Sequence, residues 1–488
     1  MWRETFFGGS GKIAPSEGKQ EEYEFMTDVA KKVAVIGLDC AAPELVFEQW
    51  RDELPCLSGL MRHGVWGKLE SVTPPITVPA WSCMMCGKDP GELGIYGFRN
   101  RKDYSYDGLT IANSSAVKEQ RVWDILSRAG KHVIVIGVPG TYPPSKVNGC
   151  MVGCFLTPNA DSPYTYPPEL KSELEMQFGP YRMDVQDFRS EDKQRVLDDI
   201  YRMSDQHFAM AKYLVSSKPW DFFMMVEMGT DRIHHAFWKY HDPHHLKYTA
   251  RNPFENAIRD YYRYIDGKIS ELLTRLGTDT TVLIVSDHGA KKMEGGICIN
   301  EWLQNQGYLT LKSRVNSPTP ISKVEIDWIN TVAWGEGGYY SRIFLNVKGR
   351  EPLGTIEPHR YEAVRDELKT KLEAMLDHKG NPLGNRVFKP QEIYRFVRGV
   401  PPDLIVYFGN LEWRSVGSVG MNTVHTFEND TGPDDANHAE YGIFILNAPG
   451  NGNGKQIEGL RLFDVSATVL DRIGVPVPPD MQGRPVRA

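Results

Sequence analysis

Three features of the sequence predict an α/β fold with a mostly parallel central sheet. Short apolar, β-branched runs such as Lys32-Val33-Ala34-Val35-Ile36-Gly37-Leu38 and Thr280-Thr281-Val282-Leu283-Ile284-Val285 read as strands buried on both faces. These runs alternate with amphipathic helical stretches at the spacing of strand–helix–strand units. Several of them lead directly into Asp or His, and folds of this kind bind ligands beyond the C-terminal ends of their strands.

The chain has 488 residues, more than one simple core usually organises. We read one large α/β domain with inserted subdomains, or two domains. Residues 1–28 form a polar, Gly- and Glu-containing tail, expected to be flexible, without the basic-then-apolar pattern of a secretory leader. A net charge of −7, from 56 basic and 63 acidic residues, argues against a nucleic-acid polymer as partner. No apolar run reaches the roughly 18–20 residues of a membrane span, so no transmembrane segment is expected. Seven cysteines without a compact spacing fit a reducing, cytoplasmic setting. Cys83-x-x-Cys86 with Cys150-x-x-x-Cys154 reads either as a four-thiolate zinc site or as small core residues.

Taken in order, the first strand ends at Asp39 and is followed by helix around 43–50 and 57–63. Gly67–Val72 is a strand entering the loop Pro75-Ile76-Thr77-Val78-Pro79-Ala80-Trp81-Ser82. Pro79 suits the first turn of a helix and Gly87 its end, which puts Thr77 just ahead of the helix N-terminus. There Thr77 reads as a helix cap, or as a hydroxyl aimed at an anion in the field of the helix dipole. Helix over 122–129, strand over 133–138, helix over 192–215 and strand over 221–227 follow. Asp231 and His235 come next, four residues apart. Helix over 261–276 precedes the Thr280–Val285 strand, which runs into Ser286-Asp287-His288-Gly289. A helix over 361–376, strands over 404–408 and 442–446, and a last helix over 462–473 complete the chain. His438 falls in a loop shortly before the 442–446 strand.

Asp39, Asp231, Asp287, His235, His288 and His438 thus gather with Thr77 at one sheet edge. Carboxylate and imidazole are ligands for zinc, and also suit manganese or iron. Seven such groups suffice for two ions about 4 Å apart, the spacing that clamps both oxygens of a phosphoryl transfer. Individually each has an ordinary reading: Asp39 as a helix cap, Asp287-His288-Gly289 as a turn, and the histidines as surface residues.

On these motifs the sequence resembles the alkaline phosphatase superfamily, within it the type I phosphodiesterase/nucleotide pyrophosphatase-like branch of phosphohydrolases and phosphomutases. The matching stretches are Ile36-Gly37-Leu38-Asp39, Thr77-Val78-Pro79-Ala80-Trp81-Ser82, Asp231-x-x-x-His235, Ser286-Asp287-His288-Gly289, His438, and the C-terminal Phe463–Leu470 with Met481-Gln482-Gly483-Arg484-Pro485. The resemblance covers about 30–310 and 400–486. It implies an α/β/α sandwich with a mostly parallel sheet, a metal-binding catalytic core over 29–300 and 400–488, and inserted caps at 145–218 and 301–399. It also implies a two-metal phosphohydrolase, with zinc (or manganese), acting on a small-molecule phosphate ester through a covalent Thr77 intermediate. Asp39, Thr77, Asp287 and His288 would hold one ion, and Asp231, His235 and His438 the other. A phosphomutase using the same site, and a non-catalytic metal-dependent binding protein, are the alternatives. The family's nucleotide pyrophosphatases carry a phosphate-holding Asn 21 residues after the nucleophile. This chain has Phe98 there, which leaves Arg99 or Asn100 as substitutes. The absence of Arg two positions after Pro79 argues against a sulfatase. His234, adjacent to His235, is the alternative ligand at that position. Aromatic and charged residues of the caps (Tyr164, Tyr166, Tyr181, Arg182, Trp328, Trp334, Tyr339, Tyr340, Arg342) either hold the organic part of the substrate or pack the caps.

Overall fold

The computed structural model describes residues 32–450, 452 and 454–487. The tail expected at 1–28 lies outside the described residues. In chain order the main elements are β1 (Lys32–Leu38), α1 (Pro55–His63), β2 (Val65–Glu70), α2 (Thr77–Cys86), α3 (Val122–Arg128), β3 (Val133–Ile136), β4 (Gly149–Val152) and β5 (Thr165–Tyr166). Next come α4 (Lys193–Ser217), β6 (Phe222–Glu227), α5 (Gly229–His241), α6 (Ala257–Leu276), β7 (Thr280–Val285) and β8 (Gly289–Lys292). Then follow β9 (Ala333–Glu336), β10 (Ser341–Leu345), α7 (Tyr361–Glu373), β11 (Arg386–Phe388), β12 (Leu404–Tyr407), β13 (Ala436–Ala439), β14 (Tyr441–Asn447), β15 (Lys455–Gln456), β16 (Leu460–Arg461) and α8 (Phe463–Ile473).

The central sheet has the order β15-β2-β14-β7-β1-β6-β3-β4-β5, with β16 also paired to β2. Its middle strands β7, β1, β6, β3 and β4 run parallel, while β14 is antiparallel to both β2 and β7. Every residue of β3, β6 and β7 is buried, as the unbroken apolar runs require of strands covered on both faces. Helices α2, α3 and α8 pack together on one side, and α1, α4, α5 and α6 on the other, giving an α/β/α sandwich. A carboxylate distant in sequence supports α1: Asp266 of α6 accepts from the amides of Cys56 (2.9 Å) and Leu57 (2.8 Å), two first-turn N–H groups without intrahelical partners.

The segment 145–218, expected as a cap, is not an inserted unit. It supplies β4 and β5 to the sheet edge and α4 to one helical layer, and its apolar residues join the main core. Its Pro- and Tyr-rich stretches belong to the irregular connections between these elements. A second core does exist. It spans about 297–413, gathers Leu303, Ile343, Phe344, Leu368 and Val406, and is built on the antiparallel sheet β9-β10-β12-β11. The strand at 404–408, assigned to the catalytic core by sequence order, therefore belongs to this second unit. A tyrosine-rich seam of Ile76, Tyr96, Tyr340, Tyr394, Ile405 and Tyr407 joins the two cores beside the Thr77 loop.

One close approach fixes where α2 lies. A Cβ on Gly37 of β1 would stand 2.4 Å from Cη2 of Trp81 and 2.8 Å from Cγ2 of Val226, so only glycine lets the α2 indole rest on the strand. Gly37→Ala is expected to cost about 1–3 kcal/mol through this overlap. Thermal melting checks it, and an unchanged midpoint would show that α2 moves without penalty.

Candidate active site

The site forms where three neighbouring parallel strands end. Asp39 follows β1, Asp287 and His288 follow β7 on one side of it, and β6 on the other side leads into α5. Asp231 and His235 sit one turn apart on α5, so both project from one face of the helix. The hydroxyl of Thr230 donates to Asp39 O (2.6 Å) and ties the start of α5 to the end of β1. His438 is not in a loop: it lies on β13, paired antiparallel with β8 opposite Ala290. Thr77 is likewise not the residue before the helix. Ile76 takes the extended cap position and Thr77 is the first helical residue. Its hydroxyl is therefore not used as a cap, and Oγ1 stands 3.4 Å from Nε2 of His288.

The three imidazoles are held alike. Nδ1–H of His235 donates to Asp434 (2.7 Å), that of His438 to Pro75 O (2.8 Å) and that of His288 to Gly289 O (3.1 Å). This leaves each Nε2 as the free ligand atom. The carboxylates follow the same rule. Asp39 Oδ2 accepts from Trp81 Nε1 (2.6 Å), Asp287 Oδ1 accepts from the Cys40 amide (3.2 Å), and Asp231 Oδ2 is bound by Arg232. Asp39 Oδ1 and Asp287 Oδ2 are buried with no hydrogen-bond partner. Asp287 Oδ2 lies 3.2 Å and Asp39 Oδ1 3.8 Å from His288 Nε2. Asp231 Oδ1 lies 3.2 Å from His235 Nε2 and 3.8 Å from His438 Nε2, and those two nitrogens are 3.3 Å apart. All seven residues expected from the sequence thus meet.

The electrostatics follow from this crowding. Burial, and then the negative charge of Asp231, push Asp39 well above the carboxylate range; burial and Asp39 do the same to Asp287. Burial also opposes the charge on Asp231, but His235 and Arg232 beside it hold its pKa well below the usual range. For His235 burial is outweighed by Asp434 and Asp231, which raise it to about 9. Burial takes His288 down to about 4. Free carboxylate oxygens and imidazole nitrogens converging in one buried space, two of the oxygens without partners, are a donor set that fits divalent cations.

Several expectations are settled by position. His235, not His234, joins the cluster. His234 turns away to the hydroxyl of Tyr262 (3.2 Å), and burial lowers its pKa to about 3. Arg99 lines the cavity above Thr77, but Asn100 does not. Asn100 closes its own turn, accepting from the Tyr96 amide (2.8 Å) and donating to Gly97 O (2.8 Å). The two cysteine pairs form no thiolate cluster among the described residues. All four are buried, and burial pushes Cys86 and Cys150 up to about 12. Of the aromatic and charged candidates, Tyr339, Tyr340 and Arg342 line the cavity. Tyr164 and Tyr181 stack on each other (4.8 Å) in the main core, and Trp328 stacks on Tyr106 (3.7 Å) in the second.

Sequence reasoning missed the supporting residues. Asp434 orients His235 and also accepts from Arg189 Nε (3.0 Å) and Tyr339 OH (3.1 Å). Asp184 holds Arg232 through two hydrogen bonds (2.7 and 2.8 Å). Cys40 Sγ also falls within ligand range of Asp231 and His235. None of these has a spacing signal, because each reaches the site from a separate loop. Above the cluster opens a cavity of about 510 Å³, lined by Thr77, Phe98, Arg99, Phe155, Phe188, Arg189, Tyr339, Arg342 and Arg414 among others.

The gathered carboxylates predict a stability that depends on divalent cation. Protein stripped with a chelator is expected to melt lower and to recover on adding zinc, by about 2.7 kcal/mol at a hundredfold excess over Kd. Asp287→Asn removes one of the repelling charges and is expected to lose less on stripping. Equal melting of stripped and zinc-loaded protein would contradict the fit.

Residues 33–434 match the sequence profile of the family described as type I phosphodiesterase / nucleotide pyrophosphatase. No curated protein sequence matches the chain. Among solved structures, phosphonoacetate hydrolase from Sinorhizobium meliloti 1021, in complex with phosphonoformate, superposes with a TM-score of 0.59 at 14% identity, over 92% of this chain and 96% of that one. Murine ectonucleotide pyrophosphatase/phosphodiesterase 5, in an inactive form in complex with AMP, superposes with a TM-score of 0.54 at 13% identity over the same shares. At such identities the likeness establishes the fold, an alkaline phosphatase-like α/β/α sandwich. With the profile covering most of its length, the chain belongs to the type I phosphodiesterase / nucleotide pyrophosphatase family.

Proposed function

We propose that this protein is a divalent-metal-dependent hydrolase of phosphoric mono- or diesters, with Thr77 as its nucleophile. Family membership supports the reaction class. The observation that carries the reading is the placement of Thr77 Oγ1: buried in the first turn of α2, on the cavity wall, 3.4 Å from His288 Nε2. Asp39, Asp287 and His288 are proposed to hold one cation with Thr77, and Asp231, His235 and His438 the second. Zinc suits this donor set best, and manganese is the alternative. Bound there, two cations would supply the positive charge that lowers the hydroxyl pKa and neutralises phosphate oxygens.

The chain's own residues do the rest. The first-turn N–H groups of α2 lack intrahelical acceptors and favour a phosphate oxygen beside Thr77. Thr77 Oγ attacks phosphorus, the bond to the ester oxygen breaks, and the alcohol leaves with a proton. Water then cleaves the phosphothreonine, restoring the hydroxyl and releasing phosphate or a monoester. Arg99, on the cavity rim, is proposed to meet a phosphate oxygen in place of the Asn that Phe98 replaces. A reducing, cytoplasmic setting is proposed on the cysteine spacing of the sequence alone.

A panel of p-nitrophenyl phosphate and bis-p-nitrophenyl phosphate, with zinc and manganese added separately to stripped protein, tests the reading. Activity is expected to return with metal, with release of free phosphate or monoester rather than isomerised substrate. Thr77→Ala is expected to lower kcat by at least about 10³-fold while the variant still folds and still gains thermal stability from added zinc through the six remaining ligands. Full activity in that variant, or in stripped protein, would sink the proposal.

A further inference from the structure

Arg414 lies on a strand of the second unit, Trp413–Val416, paired with Gly295–Cys298, and it lines the cavity opposite the metal-ligand cluster. It is only 4% exposed, yet its Nε and Nη1 make no hydrogen bond. The nearest carboxylate, Asp434, has Oδ2 3.6 Å from Arg414 Nη1, beyond hydrogen-bond reach. Asp434 already accepts from His235, Arg189 and Tyr339. Of the other buried arginines of this wall, Arg232 is satisfied by Asp184 and Asp231, and Arg342 donates to Arg99 O. Arg414 is thus within ion-pair range of Asp434 but keeps donors without a hydrogen bond, and a buried charged donor left without one is costly.

Its location is specific. The guanidinium lies 5.7 Å from the ring centre of Tyr339, and that ring stacks on His438 at 4.1 Å and on His235 at 4.9 Å. Arg414 thus stands one aromatic ring away from the ligand cluster. The rest of the cavity wall includes Phe98, Phe155 and Phe188.

We propose that Arg414 is a specificity-determining residue. It would receive a second acidic group, carboxylate or phosphate, carried on the organic part of the ester. Guanidinium meets either oxyanion through charge-assisted N–H bonds, which would satisfy donors that Arg414 leaves without a partner. The substrate class is then a phosphoric ester of a compact organic acid or of a second phosphate, with its apolar body against the phenylalanines. This inference rests on the cluster around Thr77 holding the reacting phosphate.

Binding measured apart from turnover tests it. Phenylphosphonate, 4-carboxyphenylphosphonate and 1,4-phenylenebisphosphonate are titrated calorimetrically into zinc-loaded full-length protein. Wild type is expected to bind both acid-bearing compounds about tenfold or more tighter than phenylphosphonate. Arg414→Gln is expected to remove that preference, and Arg414→Lys, which keeps the charge but not the fork, to keep part of it. Equal affinities in wild type would overturn the proposal, as would an unchanged preference in Arg414→Gln or an equal loss for all three compounds. If Arg414→Gln does not fold, the wild-type preference and the lysine variant decide. Absence of turnover on phenyl phosphate, with the binding preference intact, would overturn the hydrolase reading but not this subsite.

Discussion

The structure turns on the cost of bringing Asp39, Asp231 and Asp287 into one buried space. Carboxylates so placed repel one another and lose their water, and two of the three are pushed toward the protonated form as a result. The fold meets this by giving each carboxylate one anchored oxygen and one free oxygen. Trp81, the Cys40 amide and Arg232 hold the anchored ones. The free ones face the Nε2 atoms of three histidines whose other nitrogens are fixed. Compensation by divalent cation, proposed above, explains why so much surrounding structure serves only to aim these atoms.

That constraint reaches into the sandwich. Asp39 needs the Trp81 indole, the indole needs the bare surface of Gly37, and so α2 is seated where its first residue, Thr77, meets His288. Asp231 and His235 need only a helix after β6, since residues four apart share a face. His235 needs Asp434, which comes from the far end of the chain, as does His438 on its paired strand. The site is thus rigid for the reason the core is rigid: its members sit on or beside regular elements rather than on free loops.

The two cores divide the work. The sandwich carries the hydroxyl and the ligand cluster. The second unit, seated on the Thr77 loop through buried tyrosines, contributes Tyr339, Arg342 and Arg414 to the cavity wall. Selection among esters can then vary with the second unit while the reacting groups stay fixed.

The sequence by itself determined the sheet and most of the site. Unbroken apolar runs mark strands covered on both faces, and a parallel sheet puts whatever follows each run at one edge. Asp39, Asp287-His288 and the Asp231–His235 pair were legible for that reason, and Thr77 because Pro79 and Gly87 bracket a helix. The cap expected at 145–218 failed because the segment supplies β4 and β5 to the sheet edge, short strands that its Pro- and Tyr-rich connections hid, while the helix expected over 192–215 stands as α4. Asn100 was misjudged because a short polar side chain satisfies its own turn as readily as it meets a ligand. Only the tertiary structure decided what His234 and His235 each face, that His438 stands on a strand, that Asp434 and Asp184 hold His235 and Arg232, and that Arg414 lines the cavity. The His235–Asp434 bond spans 199 residues and the His438–Pro75 bond 363, and no local periodicity records a contact made only when distant segments pack.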